Sequence, residues 1–201
     1  MVTQPAYLKN LKAYARGPQD RTNVAALMGA FQAESDRGAI ILTATSLEDI
    51  LEWGITARMP NLMLDSSIKD SIFGINGSVG TFSNKIQMAY ALGLIDRQAR
   101  NEIDLIREMR NACAHSRKPI SLDQPALKAV CLQVLGEVGT ALTTDTATAL
   151  RLAFMLKATM LEEQVVSGKR ISIAATIKRF HESASQSSTG RPPQQSNRGD
   201  P

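Results

Sequence analysis

The chain has 201 residues, 43% hydrophobic and 21% charged, which is ordinary globular usage and excludes collagen-like, mucin-like and wholly disordered chains. Its 23 Lys and Arg against 19 Asp and Glu leave a formal +4 with both histidines neutral, a mild basic balance. Aromatic residues are only 4%, and the wealth of Ala, Leu, Ile and Met favours packed helices over sheets, so an all-α fold is expected.

Residues 1–20 read as an N-terminal arm. They carry Lys9, Lys12 and Arg16 but no apolar run of leader length, and no stretch anywhere approaches the roughly 18 apolar residues of a membrane span. A soluble, unprocessed, cytoplasmic protein without membrane contact is expected. A single domain over residues 21–182 follows, opening on a helical pattern from Asn23 to Met59 with a polar break at Glu34-Ser35-Asp36-Arg37-Gly38. Two helices, or one kinked at that break, fit equally. The second part lays Ile40, Ala44, Leu47, Leu51 and Ile55 along one stripe, and Pro60 stops it.

Between Asn61 and Gly80 a Gly-rich loop with at most one short helix is inserted. Thr81 or Ser83 caps the next helix, whose apolar positions Phe82, Ile86, Ala89 and Tyr90 run to Gly93, a suitable residue just past a helix end. Asp96 caps a helix from Arg97 to about Ser116, before Pro119. Asp123 and Pro125 open another that ends at Leu135, Gly136 and Gly139 interrupt, and Asp145 to Val166 is the last strong amphipathic segment. Ile171 to His181 forms a weaker helix. Five to seven helices in a bundle are therefore expected.

Cys113 and Cys131 sit in apolar helical surroundings without metal-ligand spacing, so neither a disulfide framework nor a zinc site is indicated, and no cofactor is expected. From Gly168 to Pro201 six basic residues face two acidic ones, leaving 17 against 17 in the body. The body lacks a field for nucleic acid, and only the tail offers a polyanion contact. Its last part, residues 183–201, is Ser, Gln, Pro and Gly, a composition expected to be disordered.

The helix from Arg97 to Ser116 holds the candidate site. Turning about 100° per residue from Ile106 places Ala99, Ile103, Met109 and Cys113 on the same buried arc, with Arg110 about 40° from its centre. An always-charged guanidinium there calls for a carboxylate, and Asp36, Glu48 and Asp49 are the candidates. Arg107 and Asn111 lie on the polar flank. His115 lies about 140° from Arg110, so the two cannot close on one small substrate within a subunit, whereas a dimer across this helix brings them together. Histidine suits acid–base work near neutrality and arginine suits a phosphate. The plainer roles are an ion pair for the arginine and a helix-end dipole contact for the histidine.

The segments Glu34 to Trp53, Gly77 to Ile95 and Ile103 to His115, in that order, resemble the bacterial mannitol operon repressor family. The motifs are an acidic-Asp-Arg-Gly helix start, a Leu-acidic pair, a Gly-x-Phe-Ser-x-Lys-Ile turn running to Ala-Leu-Gly-Leu, and an Arg-x-x-Arg-Asn-x-x-Ala-His helix end. Leu47-Glu48 stands where Leu-Asp is commoner, and nothing beyond Leu122 matches. The resemblance implies a helical, often dimeric cytoplasmic repressor of a sugar-alcohol operon.

The same helix end, Arg110-Asn111-Ala112-Cys113-Ala114-His115, is also similar to the Arg-polar-x-x-x-His signature of HEPN (higher eukaryote and prokaryote nucleotide-binding) domains. Many of these are metal-independent ribonucleases whose Arg and His meet across a dimer. That resemblance implies that His115 activates a ribose 2′-hydroxyl, Arg110 stabilises the phosphorane and Asn111 supports the site.

Three functions follow as expectations. The first is a repressor that acts through protein partners of a transcription complex or weak nucleic-acid contact. It is not an enzyme, and Asp36, Arg37, Glu48, Arg107 and Arg110 form a polar cluster of functional or structural role. The second is a ribonuclease or toxin that uses Arg110, Asn111 and His115 across a homodimer. The third is an inactive helical dimer. The helix pair from Ile86 to Arg107 is not read as a DNA-reading helix-turn-helix, and the neutral body agrees.

Overall fold

The computed structural model describes residues 33–142, 146–170, 172, 174, 175 and 178, and these form helices and connecting turns with no strand among them. The expected arm at 1–20, the helical pattern before residue 33 and the tail at 183–201 lie outside the described residues. So does most of the expected weak helix from Ile171 to His181.

Eight helices are described, six of them eight residues or longer. The polar break is a true helix boundary: Ser35 Oγ accepts from the Gly38 amide and starts α1 (Asp36–Arg58), which buries the expected stripe of Ile40, Ala44, Leu47, Leu51 and Ile55. Pro60 occupies the first position of a new short helix, α2 (Pro60–Leu64), where its missing N–H costs nothing. Asp65 then caps α3 (Ser66–Phe73), accepting from the Ser67 and Ile68 amides. The inserted segment thus holds two short helices before its Gly-rich loop.

Thr81 is the cap of α4 (Phe82–Ala91), accepting from the Asn84 amide. Gly93 takes φ +69°, and the Leu94 amide returns to the Ala89 carbonyl at 2.9 Å, a Schellman ending that a β-carbon would strain. Asp96 caps α5 (Arg97–His115), as its position predicts. The chain continues through α6 (Pro125–Leu135), preceded by Gln124 rather than by a side-chain cap, α7 (Glu137–Ala141) and α8 (Ala147–Ser167), whose cap is Thr146.

The core joins α1, α4, α5, α6 and α8, with α1 packed on both α5 and α8. Asp36 meets Arg151 at one end of α1 and α8, and Gly54 meets Val165 at the other, so these two helices run parallel. A β-carbon at Gly54 would lie 2.8 Å from Val165 Cγ1, so glycine sets how closely α1 approaches α8. The residues that follow α5 meet the start of α1, so α5 runs antiparallel to both.

The last helix departs from the amphipathic expectation. Ala153 through Ala158 are six consecutive buried residues, so α8 passes through the middle of the bundle rather than lying on its surface.

Candidate functional site

The buried arc of α5 is the predicted one: Ala99, Ile103, Ile106, Met109 and Cys113 are all buried. Glu102 belongs to it as well. Its carboxylate contacts Lys157 Nζ at 2.8 Å through Oε2 and accepts from Gln98 Nε2 at 2.9 Å through Oε1. With Glu102 6% and Lys157 8% exposed, this is an ion pair inside the core.

Asp36 is also buried, but its partner is not Arg110. Arg151 of α8 donates to Asp36 Oδ1, 2.7 Å from Nε, while Oδ2 accepts from Ser121 Oγ at 3.0 Å and from the Leu122 amide at 2.8 Å. One carboxylate therefore ties the start of α1 to α8 and to the loop after α5. Arg37 adds a second tie, donating through Nη2 to the Ser116 carbonyl at 3.0 Å and the Lys118 carbonyl at 2.7 Å. These carbonyls follow the last turn of α5, so Arg37 holds the helix end that carries His115.

Glu48 lies elsewhere. It receives Lys85 of α4 at 3.1 Å, and Glu52 receives the same ammonium at 3.0 Å. Burial pushes the Lys85 ammonium down, but the two carboxylates outweigh it and hold its pKa above 10.5. Arg107 is taken by its own helix, 2.9 Å from Asp104 and 2.5 Å from Glu108, and Asp104 raises its pKa. The five residues expected as one polar cluster are thus split. Asp36 and Arg37 share the loop after α5, while Glu48, Arg107 and Arg110 each answer to a separate set of partners.

Arg110 is half-buried, and its guanidinium makes one described contact, from Nη1 to Asn111 Oδ1 at 3.3 Å. No carboxylate among the described residues pairs with it, which corrects the expected ion pair. A long side chain at the edge of an apolar arc lays its stem on the core and carries its charge outward. His115 is exposed in the last turn. Because α5 stays regular to His115, where the Ser116 amide bonds to the Ala112 carbonyl, Arg110 and His115 keep the angular separation that the sequence implies. One chain does not bring them onto a single substrate. The resulting surface, with Arg117 and Lys118 exposed beyond it, offers donors and an imidazole.

Burial lifts both thiols, Cys113 with a further push from Asp36 against the pull of Arg37, and Cys131 to about 12 with Asp36 adding to burial. They are core residues. Among the described residues no group of His, Cys, Asp and Glu is placed to hold a metal ion, and no helix is long and apolar enough to cross a membrane.

Two residues escaped the sequence reading although signals existed. Glu102 lies about 40° from Ile106 on the same wheel, inside the buried arc. Lys157 interrupts the apolar run from Leu152 to Leu161, so each was the partner that the other needed. Compared with protein-family models, with curated proteins and with solved structures, the chain matches none.

Proposed function

We propose that the chain is a helical transcriptional regulator, a repressor of the kind its motifs resemble in the mannitol operon repressor family, working in the cytoplasm as a homodimer. The carrying observation is that the Arg110 guanidinium, on the helix end shared with Asn111 and His115, has no carboxylate partner among the described residues. Its donors are left for an anion brought by another molecule. The separate motifs also meet in space: Glu48 of one holds Lys85 of the next, and Arg37 of the first holds the end of the third. The resembling residues thus make a common frame, and among the described residues Arg110 has only Asn111 as a side-chain partner. An acidic surface on a protein of a transcription complex is the favoured partner, with nucleic acid as a weaker contact.

A reporter fused to the sugar-alcohol operon, in cells whose own copy is deleted, tests this. Repression restored by the wild-type chain and lost with Arg110→Ala supports the reading. Equal reporter output with and without the wild-type chain overturns it.

The exposure of His115 favours a second reading, a HEPN-type ribonuclease completed across a dimer. Labelled RNA incubated without metal is cleaved by the wild type and not by His115→Ala under this reading; no cleavage, or equal cleavage by both, removes it.

A further inference from the structure

The end of the bundle opposite His115 gathers cations from three helix termini. Arg58 closes α1, Arg97 and Arg100 open α5, and Lys169 with Arg170 follows α8; all are exposed except the half-buried Arg100. Contacts fix their proximity. Arg170 Nε stands 3.7 Å from Asp96 Oδ2, the residue before Arg97, and Arg58 Nη2 comes within 3.7 Å of the point where a Gly168 β-carbon would sit. The carboxylates nearby are Asp96, which also caps α5, and Glu162 and Glu163 on the last turns of α8. Basic charge prevails, and the chain continues from this end toward Lys178, Arg179, Arg191 and Arg198 against only Glu182 and Asp200.

From this we infer that this end of the bundle, with Arg58, Arg97, Arg100, Lys169 and Arg170, is a docking surface for the phosphate backbone of double-stranded DNA. The cations come from three separate helix ends, an arrangement that suits the regularly spaced phosphates of a duplex. Single-stranded nucleic acid calls for rings on which unpaired bases stack; Tyr90 beside this patch is covered by Arg100 at 5.1 Å, while Trp53, five residues before Arg58 on α1, is exposed, so the choice between duplex and single strand rests on the binding test. Arg97 and the exposed Asn101 lie one turn apart on the outer face at the start of α5, with side chains of the kind that meet base edges in a major groove. The helix pair from Ile86 to Arg107, which the sequence does not mark as a DNA-reading helix-turn-helix, thus presents an Arg/Asn-bearing helix start.

The inference takes from the regulator reading only that nucleic acid is a partner, and it uses none of Arg110, Asn111 or His115. The test is fluorescence anisotropy of the full chain with a labelled duplex of about 20 base pairs over an NaCl series. Binding should weaken with salt, and Arg97→Gln/Lys169→Gln/Arg170→Gln should flatten the log–log slope by about 2 to 3 and weaken binding by roughly 30-fold or more near 100 mM salt. Lys128→Gln, on the first turn of α6 at the other end, should change neither quantity by as much, and circular dichroism checks that every variant is folded.

An unaltered slope in the triple variant, no salt-sensitive binding by the wild type, or tighter binding to single-stranded RNA or to phosphatidylserine vesicles each overturns the proposal. The operon reporter keeps the two ideas apart. If Arg110→Ala abolishes repression while the triple variant leaves the slope intact, this surface falls and the α5-end reading stands. The reverse pattern does the opposite.

Discussion

Glu102 and Lys157 face each other at 2.8 Å between α5 and α8, both nearly sealed from water. Such a pair is costly to desolvate and more costly to break, because removing one partner leaves the other charge buried alone. Lys157→Met should destabilise the chain by about 3 to 5 kcal/mol in urea unfolding, and Glu102→Leu combined with it should recover most of that loss. Additive losses in the double variant would show that the two groups do not sense each other.

The alkaline limb of stability should report Lys85. Its folded-state pKa is raised above the ordinary lysine value of 10.5, so its contribution is complete below pH 10.5 and is lost as pH climbs through the folded value. The urea midpoint should therefore fall above pH 10.5, and Lys85→Met should be less stable at neutral pH with a shallower alkaline decline. Parallel curves for the two proteins would contradict the triad with Glu48 and Glu52.

Arg37→Ala should loosen one end of the bundle selectively. Two charge-assisted hydrogen bonds to the Ser116 and Lys118 carbonyls are lost, worth about 1 to 3 kcal/mol together. Hydrogen exchange should quicken at Cys113 to Arg117 while the α1–α8 contact near Gly54 stays protected. On the proposed repressor reading, operon repression should weaken too, because the loosened turn carries His115. Uniform acceleration of exchange throughout the core would rule out a local effect.

The thiols give a simple check on packing. Burial places Cys131 at about 12 and raises Cys113, and only the thiolate reacts readily. Neither should take up a thiol reagent at pH 8 in the native protein, and both should label in urea. Rapid native labelling would mean that α5 and α6 part more easily than their contact suggests.

Local chemistry made most of the scaffold readable. Thr81, Asp96, Gly93 and Pro60 act within one turn of their own position, and the stripes of α1 and α5 follow from helical spacing alone. Partner choice was not readable, because it depends on which helix lands opposite which. Arg110 looked like the arginine in need of a carboxylate, yet Arg151, 115 positions from Asp36, claims that residue, and the sequence holds no trace of the pairing. The same blindness hid the basic end, since Arg58, Arg97 and Lys169 are remote in the chain and adjacent only once α1, α5 and α8 are aligned.

The passage of α8 through the middle of the bundle sets an order of events during synthesis. Its six consecutive buried residues fill the space beside α1, a helix that leaves the ribosome more than a hundred residues earlier. Until α8 emerges, the apolar flank of α1 that it covers has no native partner, and the pairing of Asp36 with Arg151 closes one of the longest loops in the fold. Nascent chains paused before residue 147 are thus the form most exposed to aggregation and to chaperone capture, and the described bundle becomes cooperative only when α8 arrives.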